Sequence, residues 1–95
     1  MLDIFLAELL GTFIFLSVIL LSVNNTDKSL AWLKIGLTLG VCILLINNVS
    51  GGHMNPAVSS MVWYSGDITT NELGLYMMAQ FIGAYLAWTV YKLNK

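Results

Sequence analysis

The chain has 95 residues, of which 58% are apolar and only 9% are Asp, Glu, Lys or Arg, whereas ordinary soluble domains carry about a quarter charged residues. Too few charges remain to cover a water-exposed surface, and a mean hydropathy of +0.81 points to lipid as the solvent. A net charge of −1, no arginine and four scattered lysines exclude a nucleic-acid partner. The single cysteine, Cys42, makes no intramolecular disulfide, and without a Cys/His cluster neither a metal nor another cofactor is expected.

Residues 4–23 hold one charge, Glu8, and at ~1.5 Å per residue they span a hydrocarbon core of ~30 Å. A cleaved signal peptide is the competing reading. Against it, Asp3 stands where a lysine or arginine belongs, and the apolar run exceeds the usual ~7–15 residues. Asn24 to Ser29 is a cluster of turn formers, short enough to join antiparallel neighbours. Asn24 and Thr26 also form a glycosylation sequon, a weak one so close to the membrane.

Residues 30–49 make a second span, with Lys34 near its start able to snorkel to the interface. Gly36 and Gly40 share one helix face there. They either admit a neighbouring backbone or reflect the ordinary frequency of glycine in membrane helices. A third span covers about 73–91, with Gly74 and Gly83 as small positions and Trp88 and Tyr91 at the level of an aromatic belt.

The connection between spans two and three, about residues 50–64, is the informative one. Ser50-Gly51-Gly52-His53-Met54 favours irregular backbone, and Asn55 followed by Pro56 reads as N-cap and first position of a helix. From Ala57 to Tyr64 the chain is apolar but too short to cross, and Thr69 and Glu72 stand in capping-box spacing before the third span. A short uncharged helix between two spans predicts re-entry from one side. Irregular backbone at that depth requires protein or a water-filled cavity beside it. An interfacial helix is the plain alternative. The expected fold is thus an all-α membrane protein of three transmembrane helices and one re-entrant half-helix.

A re-entrant helix start aims free N–H groups and about half a positive charge at the midplane. Asn55 adds an amide donor, and the carbonyls of Gly51, Gly52 and His53, outside any helix, are free to accept. Donors at the centre and acceptors below orient water and repel cations. His53 has no nucleophile or metal partner in view, so an enzyme is not expected.

Ser50 to Val58, with its Asn-Pro-Ala, resembles the pore loop of the major intrinsic protein family, the aquaporins and glycerol facilitators. Ala7-Glu8-Leu9-Leu10-Gly11-Thr12 and Ala79-Gln80-Phe81-Ile82-Gly83-Ala84 are similar to the family's helix signatures and stand in the family's order. The resemblance implies a channel for water or small neutral solutes such as glycerol. Asn55, Pro56 and Ala57 take the place of the pore-centre signature, and Gly51, Gly52 and His53 that of the carbonyl ladder. Glu8 and Gln80 match buried residues that brace the loops. A carboxylate within a span is expensive and belongs inside the bundle, although Glu8 lies only a turn from the membrane edge.

Family members carry two such repeats in opposite orientation, and this sequence resembles the first. Val58 stands where the second repeat has an arginine, and Ile35, in the place of the usual filter aromatic, would make the narrow zone apolar. One repeat encloses no pore, so the expected partners are lipid, the solute, and an opposed copy or complementary half. The competing reading is a non-conducting or regulatory subunit, or a truncated channel product. Lys28, Lys34, Lys92 and Lys95 share one membrane side; Asp3, Asp67 and Glu72 share the other. The positive-inside rule makes the lysine side cytoplasmic, whereas the resemblance puts the N-terminus there.

Overall fold

The computed structural model describes residues 1–95 and consists of four helices: α1 (Leu2–Val23), α2 (Ala31–Ser50), α3 (Pro56–Tyr64) and α4 (Thr70–Leu93). Three of them, α1, α2 and α4, are long and apolar enough to cross a membrane. The fourth, α3, has nine residues and at ~1.5 Å per residue reaches less than halfway. This is half of an aquaporin-like bundle.

Local chemistry sets the boundaries. Asp3 accepts the Ile4 N–H, so α1 begins at Leu2, ahead of the position expected from the apolar run alone. In the turn before α2, Ser29 donates both its N–H and its hydroxyl to Asp27, which holds that carboxyl below the ordinary carboxylate range. Gly51, at φ +88°, closes α2 in the left-handed conformation that glycine adopts without a Cβ penalty. α4 starts three residues earlier than its apolar pattern suggests, because Thr69 accepts the Glu72 N–H while Glu72 accepts the Thr69 N–H. The Trp63 indole donates to Thr70, tying the end of α3 to the start of α4.

α1 is the central helix, flanked by α2 and α4, and α3 lies against α4. The α1–α4 crossing is close at Gly83, where an added Cβ would sit 2.7 Å from the Leu9 carbonyl oxygen. Nothing lies within 4 Å of Gly36, Gly40 or Gly74, so their small size is not used inside the chain.

The distribution of polarity is inverted relative to a water-soluble protein. Leu10, Leu21, Leu37, Leu44, Phe81 and Trp88 are exposed along the three long helices, whereas the largest fully buried side chains are Gln80, Glu8, Thr12 and Ser59. Burial of apolar area in water cannot drive such an arrangement. In lipid, polar groups gather inside and satisfy one another while apolar side chains face the acyl chains.

Candidate functional site

The buried polar groups converge on one carboxylate. Glu8, on α1, is completely buried and accepts four hydrogen bonds. Its Oε2 receives the Ser50 hydroxyl at 2.6 Å and the His53 N–H at 2.9 Å. Its Oε1 receives the Met54 N–H at 2.7 Å and the Gln80 amide at 3.1 Å. An ionised carboxylate offers about four acceptor positions, so its capacity is filled. Ser50 in turn accepts the Gly52 N–H. Three consecutive backbone donors, from Gly52, His53 and Met54, are thus turned inward to one place. Their carbonyls make no hydrogen bond within the chain and are left free.

The loop can take this shape only with particular residues. Gly52, at φ +68°, packs against α2, where a Cβ would stand 3.1 Å from the Ile43 Cα. Met54 adopts a positive φ of 51°, unusual for a side chain other than glycine, and is nonetheless buried. Its thioether fills the space over Gly11, where a Cβ would lie 3.0 Å from the sulfur.

Asn55 is the N-cap of α3, with its Oδ1 accepting the Ala57 N–H at 2.9 Å and Pro56 at the first helical position. With the oxygen so engaged, the Nδ2 group is left as a donor. Asn55, Ala57 and Gly51 are exposed; Pro56, Val58, His53 and Ile35 are half-buried, and Gly52 is buried. Of the expected site residues, Glu8, Gln80, His53 and Gly52 therefore join one hydrogen-bonded cluster. Ile35 stands apart from it on α2, and Val58 comes later along α3.

Gln80 is buried on α4 and donates to both Glu8 and Ser59. Ser59, on α3 and completely buried, also meets His53 Nδ1 at 2.9 Å. Tyr76 donates its hydroxyl to the Ser50 carbonyl and stacks its ring on His53, with centroids 4.3 Å apart. Tyr76, Ser59 and Met54 are not among the site residues expected from the sequence. One signal was present: Tyr76, Gln80 and Gly83 are spaced four and three apart and so fall on the α4 face that crosses α1. Two buried polar atoms, Thr12 Oγ1 and Gln80 Oε1, have no partner. Both residues line a pocket of about 260 Å³ beside the start of α3, together with Phe15, Met54, Asn55, Pro56 and Phe81.

Three spans and a half-helix packed on the third of them, with the loop before it held by a buried carboxylate, define a class of integral membrane protein with a short helix between two spans. Residues 1–94 match the family described as Major intrinsic protein, and the chain belongs to that family. It is 41% identical to Aquaporin-8 of Notomys alexis, covering 83% of this chain and 32% of that protein. It is 34% identical to Aquaporin-2 of Rhizopus delemar, covering 85% and 28%. It is 38% identical to Glycerol uptake facilitator protein-like 6 of Lactiplantibacillus plantarum, covering 87% and 40%. The chain thus spans about a third of the length of these relatives.

Proposed function

We propose that this chain forms one half of a passive channel for water and small neutral solutes such as glycerol, completed by an opposed half. The opposed half is a second copy or a complementary segment. The observation that carries the reading is the exposed start of α3. The Nδ2 donor of Asn55 stands at the positive end of the helix dipole, and the preceding carbonyls of Gly51, Gly52 and His53 accept no hydrogen bond within the chain. A solute oxygen would accept at Asn55 while its hydrogens are received by the carbonyls, which breaks up a continuous water file. The dipole end, worth about half a positive charge, disfavours cations there.

Ile35 and Val58 line the same route as apolar surface and leave width, rather than charge, to choose among neutral solutes. Pro56 and Ala57 present a small, rigid contact at the midplane. The pocket beside Asn55 and Pro56 is the natural seat for the second half, since without it the start of α3 faces lipid.

The test is stopped-flow swelling of proteoliposomes containing the protein, beside Asn55→Asp. Facilitated swelling is expected for the wild type. A carboxylate at the dipole end would hold water or a cation and reduce the neutral-solute flux at least tenfold without preventing insertion. Equal permeability of the two in verified, inserted protein overturns the pore role of Asn55. The absence of swelling from the inserted wild type favours a non-conducting subunit, or one that needs a different second half.

A further inference from the structure

The hydrogen-bond pattern around Ser59 has one solution. Its hydroxyl is completely buried and carries a single proton. The Gln80 Nε2 group, 2.9 Å away, has only donors to give, so toward Gln80 the Ser59 oxygen accepts. The remaining neighbour is His53 Nδ1, also at 2.9 Å. Ser60, one residue on, returns its hydroxyl to the backbone carbonyl four residues earlier, but Ser59 makes no such bond. The Gln80 Oε1 atom, the one acceptor on that side chain, has no partner. If His53 Nδ1 carried a proton toward Ser59, the Ser59 proton would be stranded in a desolvated site.

We propose that Ser59 is a positioning residue that fixes neutral His53 as its Nε2–H tautomer, so that the ring offers a donor beside the free carbonyls of the pore loop. The ring has no freedom to exchange roles. Its backbone N–H is held by Glu8, and its face is stacked on Tyr76 at an interplanar angle of 18°. The Nε2 edge turns toward Gly51, where an added Cβ would lie 3.2 Å away, and Gly51 is exposed. Nε2 makes no hydrogen bond within the chain. Its complement is therefore an acceptor oxygen of the passing solute, water or a hydroxyl. The solute contact rests on the proposed channel function; the tautomer does not.

His53 is the only histidine, so a protein labelled with ¹⁵N-histidine gives one imidazole signal set. Long-range nitrogen–proton NMR in lipid bilayers at pH 8, where an ordinary imidazole is neutral, is expected to show a single tautomer protonated at Nε2. Ser59→Ala removes the donor and is expected to populate both tautomers, and Ser59→Thr restores one. A wild-type proton on Nδ1, or a single unchanged tautomer in Ser59→Ala, overturns the assignment. Should Ser59→Ala fail to insert as a helical protein, Ser59→Gly, which likewise carries no donor, is read in its place; a single tautomer identical to wild type is then the refuting result. Because this measurement needs no transport, failure of the channel reading shows as absent swelling with the wild-type Nε2–H tautomer present, and failure of the Ser59 role shows as a wild-type Nδ1 proton, or a tautomer unchanged in Ser59→Ala, with swelling intact.

Discussion

Replacing Glu8 by glutamine preserves shape but exchanges one acceptor for a donor, and the four hydrogen bonds on the carboxylate set the cost. If the new amide nitrogen occupies the Oε2 position, Ser50 can reorient and accept, but the His53 N–H faces a donor. If it occupies the Oε1 position, the Met54 N–H is left without an acceptor and the Gln80 amide also faces a donor. Either orientation orphans one backbone donor at about 1–3 kcal/mol, and the surviving backbone bond loses its charge assistance, about 1 kcal/mol more. The net loss of about 2–4 kcal/mol corresponds to roughly a 30- to 1000-fold rise in loop opening. Hydrogen exchange of residues 51–54 in lipid nanodiscs reads this directly, because local opening controls amide exchange. A change of less than about fivefold, with helix content unaltered, would refute the view that the carboxylate holds the loop.

Gly83→Ala drives a Cβ to within 2.7 Å of the Leu9 carbonyl, a backbone atom that cannot step aside, and is expected to cost about 1–3 kcal/mol in an unfolding titration. Gly36→Ala, which meets nothing within 4 Å, serves as the control and is expected to fall within about 0.5 kcal/mol of wild type. Tyr76→Phe keeps the ring stacked on His53 but removes the donor to the Ser50 carbonyl; the expected loss is about 0.5–1.5 kcal/mol, and a neutral result in the same titration would show that the carbonyl finds another partner. In the α1–α2 turn the depressed Asp27 carboxyl contributes stability that is present above the ordinary carboxylate value and is lost as pH falls through the lower folded value. Ser29→Ala removes one of the two donors and is expected to move the Asp27 titration midpoint upward by NMR, with no midpoint change counting against the turn geometry.

The number of helices, their membrane setting and the short half-helix were legible in the chain itself, because each depends on local or one-dimensional properties. Apolar run length against bilayer thickness marks a span. Asn55 before Pro56 and Thr69 before Glu72 mark helix starts, since a cap is a contact between residues two or three apart. The buried setting of Glu8 was legible in the same way, from the expense of a charge in lipid. The partners of Glu8 were not. His53 and Met54 lie 45 and 46 positions along the chain and Gln80 lies 72, so only the crossing of α1 with α4 and the docking of the loop bring them together. Ser59 and Tyr76 are ordinary residues for a membrane helix when read singly, and they acquire a role only where α3, α4 and the loop meet around His53. The glycines divide in the same manner: Gly11, Gly52 and Gly83 are needed because another atom stands where a Cβ would go, while Gly36, Gly40 and Gly74 look alike in the sequence but face open space. A sequence specifies which residue types are present and how far apart they lie along the chain. Which of them become neighbours is a property of helix crossings, and in this protein the crossings assemble the polar cluster behind the loop that precedes α3.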